Sequence, residues 1–147
     1  MNAPEIGFAQ IEGERPSLLP PGTYDVTFVG FSTFVLFGRA SKLNLQFKVV
    51  SMGEHFEKPI SRYYNVTRLI GRPGPNGRFK VGFSSDFIRD YCRLFPVPAR
   101  LDRIPMSSFE KHVFSAKVRT VNMGSQQEPI PAGLQYSVIS ELMEIKQ

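Results

Sequence analysis

One stretch of this 147-residue chain repeats its apolar residues at helical spacing, and the other regular stretches alternate with period two. KLNLQFKVV, residues 42–50, is the clearest alternation: Leu43, Leu45, Phe47 and Val49 share one face, Lys42, Asn44, Gln46 and Lys48 the other. TYDVTFVGF, residues 23–31, sets Tyr24, Val26 and Phe28 against Asp25, Thr27 and Val29. PISRYYNV, residues 59–66, alternates Ile60, Arg62, Tyr64 and Val66 with Ser61, Tyr63 and Asn65, so one tyrosine ring faces in and one out. The helical exception is SSDFIRDYCRLFP: a serine cap, Asp86 at the positive end, the stripe Phe87, Ile88, Tyr91, Leu94 and Phe95, and Pro96 as terminator. HVFSAKVRTV, residues 112–121, points Phe114, Ala116 and Val118 inward and Lys117 and Arg119 outward. LQYSVISELMEI, residues 134–145, closes the chain as a strand, although its Leu, Met and Glu would also suit a helix.

This order, β-β-β-α-β-β, predicts a mainly β protein. It fits an OB-fold-like five-stranded Greek-key barrel with one α-helix between strands 3 and 4. An SH3-like barrel or a small sandwich also uses five strands, but neither needs a helix at that point. Residues 1–20 read as a flexible N-terminal arm that Pro20-Pro21-Gly22 ends, and residues 21–147 as a single domain. Residues 32–41, STFVLFGRAS, extend the first strand into a hairpin tip or form a mobile aromatic loop. Ile104, Met106 and Phe109 are expected to plug one end of the core.

Charge is unevenly placed. Residues 1–61 hold five Lys/Arg against six Asp/Glu, residues 62–119 twelve against four, and residues 120–147 one against three. A basic middle between near-neutral ends is the footprint of a surface that meets a polyanion. Residues 67–82, TRLIGRPGPNGRFKVG, concentrate it: Arg68, Arg72, Arg78 and Lys80 with no acid, and Phe79 among them. Asn76-Gly77 predicts a type I′ turn, which would make this segment a basic hairpin arm rather than a neutral connector.

Other chemistries lack their residues. Residues 71–78 do not end in the Gly-Lys-Ser/Thr of a phosphate-binding loop, and GRPG lacks the surroundings of a KH domain. His55, His112 and Cys92 are scattered and assemble no zinc set, so no cofactor is expected. No nucleophile–base pair stands in a credible context, and Asp86 and Asp90 read as a solvated helix face, so an enzyme is not expected. One cysteine, no secretory signal and no long apolar run predict a cytoplasmic protein away from membranes.

PPGTYDVTFV and FGRASKLNLQFKVVSMGEHFEKPISRYYNV resemble small single-stranded-DNA-binding proteins of phages and conjugative or integrative elements. The pattern is a Pro-Gly-x-Tyr opening, a strand ending Phe-x-Val-Val, a Gly-Glu turn and a basic-aromatic strand ending Tyr-Asn-Val. It covers about residues 20–66, with looser agreement over residues 84–121. The closing LMEIKQ departs from the acidic tail of cellular relatives, so recruitment of partners through such a tail is not expected.

The resemblance implies binding of single strands by charge neutralisation and base stacking, in replication or transfer of a mobile element. RNA is the alternative ligand. A second copy of the chain and replication or transfer proteins are candidate partners. The residues expected to carry binding are Lys42 and Lys48 on strand 2, Arg62 with Tyr63 or Tyr64 on strand 3, and Lys117 and Arg119 on strand 4. Phe34, Phe37 and Arg39 at one edge and Arg68, Arg72, Arg78, Phe79 and Lys80 at the other complete the set. The competing reading is a protein-interaction or structural module that docks a partner through the Phe-rich loop and basic surface.

Overall fold

The structure, a computed structural model, describes residues 17–124 and 127–147. Its elements in chain order are β1 (Gly22–Leu36), β2 (Ala40–Val49), β3 (Pro59–Asn65), β4 (Arg68–Ile70), β5 (Gly74–Pro75), β6 (Arg78–Lys80), α1 (Asp86–Leu94), β7 (Val113–Val121) and β8 (Tyr136–Ile145). The chain is mainly β with one α-helix among the described residues, and the helix falls between the third and fourth long strands, as expected. Every ladder is antiparallel. The main sheet runs β3-β2-β1-β7-β8, and β5 adds to β1.

The alternation places its apolar halves in one core. Leu43, Leu45, Phe47 and Val49 are buried, facing Val26, Phe114, Ala116 and Val118, while Phe87, Ile88 and Tyr91 of α1 cover the same interior. Ile104 and Phe109 are buried with them. The helix starts where expected: Ser85 Oγ accepts the Ile88 N–H at 3.2 Å. β1 continues straight through residues 32–36 into a hairpin with β2, so this segment is strand and tip rather than loop. A register shift between Phe28 and Gly30 bends it, letting its first half pair with β7 and its second with β2.

Closure is incomplete among the described strands. β3 and β8 lie alongside each other with no ladder between them, so the sheet is not a closed barrel. Helix α1 packs against both strands at this seam. Asp90 of α1 accepts Arg62 Nη2 at 3.1 Å and the Tyr64 hydroxyl at 2.7 Å, both from β3. Arg93, one turn on, donates to the Leu142 carbonyl of β8 at 2.7 Å and pairs with Glu141 at 3.1 Å.

The arm expected over residues 1–20 lies outside the described residues as far as residue 16, and the rest of it is docked rather than loose. Ser137 of β8 donates its N–H to the Ser17 carbonyl at 2.9 Å, and its hydroxyl accepts the Leu19 N–H at 2.7 Å. Leu19 is buried.

Residues 67–82 form an ordered ribbon. β4 pairs with β6, setting Arg68 opposite Lys80, Leu69 opposite Phe79 and Ile70 opposite Arg78. Between them β5 crosses to β1, with Gly74 opposite Thr33 and Pro75 opposite Ser32. The tight turn is not the expected type I′ over Asn76-Gly77. Gly77 donates to the Gly74 carbonyl at 3.0 Å, and only Asn76, at φ 56°, lies in the left-handed region. Proline second and positive φ third is the type II pattern, centred on Pro75-Asn76. Gly77 is needed for close approach instead: a Cβ there would stand 2.1 Å from Thr33 Oγ1 and 3.0 Å from the Gly74 carbonyl. Gly77→Ala is therefore expected to lower stability by about 1–3 kcal/mol, read from the urea midpoint. Gly82→Ala, whose nearest neighbour would be 3.9 Å away, serves as the near-neutral control.

Candidate nucleic-acid interface

Lys42, Gln46 and Lys48 of the polar half of β2 are partly exposed, Asn44 on the same side is fully buried, and the register assembles a cross-strand surface. Lys42 stands between Phe34 of β1 and Asn65 of β3, Asn44 between Ser32 and Tyr63, Gln46 between Gly30 and Ser61, and Lys48 between Thr27 and Pro59. Directly opposed residues share a face, so this is one continuous outer surface. Its concavity forms a groove of about 620 Å³ lined by Ser32, Phe34, Gln46, Lys48, Ser61 and Pro75 among others.

Phe34, in the groove wall, meets Tyr63 edge to face, with ring centroids 6.4 Å apart at 83°. Tyr63 also packs on a small cluster of Val121, Ile130, Tyr136 and Val138. Arg119, exposed, is opposite Val138 and shares that side of β7–β8. Lys42 Nζ donates to Asn65 Oδ1 beside the rings. Beyond them the β1–β2 hairpin ends in Phe37 and Gly38, both left-handed at φ 55° and 71°, and Arg39 donates its N–H to the Leu36 carbonyl at 3.1 Å. A phenylalanine in that region costs about 1–2 kcal/mol over glycine. Its ring is nevertheless 66% exposed. The structure thus brings Phe34, Phe37, Arg39, Lys42, Tyr63 and Arg119 to one end and places Lys48 about 20 Å along β2 at the other.

Three expected contact residues are interior. Tyr64 is the inward tyrosine, 3% exposed and bonded to Asp90; burial first, and the neighbouring carboxylate second, hold its phenol well above its ordinary pKa. Arg62 lies along the inward-facing side of β3, where its guanidinium sits over the Tyr64 ring at 4.3 Å and pairs with Asp90. Phe79 packs edge to face on Phe87 at 5.6 Å. A base could reach none of these rings or charges. Lys117 lies apart from the groove, opposite Thr23 and Glu141. Arg68, Arg72, Arg78 and Lys80 are exposed on the ribbon and its connection.

Reading Asp90 as part of a solvated helix face is the main correction. It is 1% exposed and holds the seam, whereas Asp86 is exposed. Gln46, Ser32 and Ser61 line the groove without having been expected there. Their signal was present in Gln46 and Ser61, which alternate with core positions.

Ion pairs sort the cations. Arg62, Arg89, Arg93, Arg100 and Lys146 each have a carboxylate within 4 Å. Arg39, Lys42, Lys48, Arg68, Arg72, Arg78, Lys80, Lys117 and Arg119 have none among the described residues. Among those residues, too, no cluster of His, Cys, Asp and Glu could hold a metal, and no helix is long and apolar enough to cross a membrane. No protein-family model, curated protein or solved structure matches the chain.

Proposed function

We propose that this protein binds single-stranded DNA along the groove over β1, β2 and β3. Bases stack at the Phe34–Tyr63 end, and Lys42, Lys48, Arg39 and Arg119 neutralise phosphates. The observation that carries the reading is Phe34 in the groove wall, meeting Tyr63 edge to face, beside cations that no described acid neutralises. Rings and unpaired cations are what an unstacked strand needs, because every base has a π-face and every nucleotide a charge. The strand order, with the seam left open and the helix across it, supports a partly open OB-type barrel, which binds oligonucleotides on its second and third strands and adjoining loops. The Phe37 tip and the described parts of the β7–β8 connection, residues 122–124 and 127–135, are those loops here. The setting this reading carries is replication or transfer of a mobile element in the cytoplasm.

Fluorescence-anisotropy titration of labelled oligo-dT over a range of salt tests it. Log affinity should fall with log salt at a slope of about −0.7 per phosphate contacted. Excess duplex should fail to displace the strand, and an RNA competitor ranks the two single strands. Absence of binding at low salt would overturn the reading.

A further inference from the structure

The β4–β6 ribbon carries charge of a different kind. Arg68 and Lys80 are directly opposite, and Arg78 follows diagonally on the same face, all exposed. Like charges set opposite each other destabilise a sheet, and no described acid relieves them. Asp102 lines a small cleft with Arg78 and Arg103. It is already held by Arg100 through two bonds of 2.8 and 2.9 Å. The face is also fixed in place, since β5 ties the ribbon to β1 through Thr33 and Gly74.

What the ribbon lacks is equally informative. Its one ring, Phe79, points to the core with Leu69, so the charged face offers nothing on which a base could stack. Phe83, the next exposed ring in the chain, belongs to the connection leading into α1. A face of cations alone reads phosphate and ignores whether bases are paired. Opposed strands stand about 5 Å apart, so three cations crowd into a short span. Double-stranded DNA, with a charge every ~1.7 Å along its axis, is the denser match.

We propose that the ribbon grips the backbone of a duplex while the groove holds the adjoining single strand, so that the preferred ligand is a single-strand/duplex junction. This rests on the groove reading above, but its own site is separate.

The test compares three labelled ligands: a dT tail, the same tail joined to a short duplex, and that duplex alone. The tailed duplex should bind at least about tenfold more tightly than the tail, because the second contact is made intramolecularly. Arg68→Ala/Arg78→Ala/Lys80→Ala should abolish that gain while leaving the affinity for the tail unchanged. Arg68→Lys/Arg78→Lys should retain it. Equal affinity for tail and tailed duplex in the wild-type protein overturns the proposal, as does a gain that survives in the triple alanine variant. If the tail alone does not bind, the groove reading fails. The ribbon is then judged on duplex alone, where loss of binding in the triple variant supports it and no change overturns it.

Discussion

Asp90→Ala should lower stability by about 3–5 kcal/mol, the largest effect expected from any single exposed-looking polar position in this sequence. The carboxylate takes the Arg62 guanidinium and the Tyr64 hydroxyl from one side and faces Arg93 from its own helix at 3.4 Å. Removing it strands the Arg62 charge, 9% exposed, without a counter-ion. It also cuts the link between β3 and the helix where no ladder spans the seam. Urea unfolding should show the midpoint falling far below that of Asp86→Ala, whose partner Arg89 is surface-exposed and whose loss should cost at most about 1 kcal/mol. Equal losses in the two variants would mean that the seam is held by apolar packing alone.

Phe34→Leu and Tyr63→Leu should each weaken oligo-dT binding roughly 5- to 150-fold, the equivalent of one lost stacking contact. Leucine preserves apolar contact, so Tyr63 can keep its packing on Val121 and Val138 while losing the π-face. Tyr64→Phe gives the opposite profile. It should leave binding unchanged and lower stability by about 1–3 kcal/mol, because Asp90 Oδ2 loses a buried donor. Anisotropy and urea titrations on the same three variants separate adjacent tyrosines by function. Weaker binding in Tyr64→Phe than in Tyr63→Leu would contradict the assignment of faces.

Much of this architecture was legible because period-two patterns report sidedness directly. KLNLQFKVV placed Leu43, Leu45, Phe47 and Val49 in the core and Lys42, Gln46 and Lys48 on the outer side, Asn44 alone being buried there, and the paired tyrosines of β3 split as alternation requires. Arg62 shows where pattern reading runs out. Its position is inward by period, yet a charged residue there reads as an error of register until its partner is known. That partner, Asp90, is 28 residues away on another element, and no local rule connects them. Asn76-Gly77 failed for a similar reason. The dipeptide signals a two-residue hairpin, but the glycine was required by the approach of Thr33 from a distant strand. Phe79 sits among four cations in sequence and looked exposed for that reason, whereas a two-stranded ribbon sends it to the opposite face from Arg78 and Lys80.

The hydrogen bonds between residues 17–19 and Ser137 bear on how the protein behaves at high concentration. A terminal strand of an open sheet offers its unpaired backbone to any other chain and so seeds fibres. Here the segment leading into β1 occupies that edge of β8 near its start, and the Arg93 side chain caps the Leu142 carbonyl further along. The protein thus guards its last strand with the segment that precedes β1, and trimming the chain past Leu19 should bare that edge and promote aggregation.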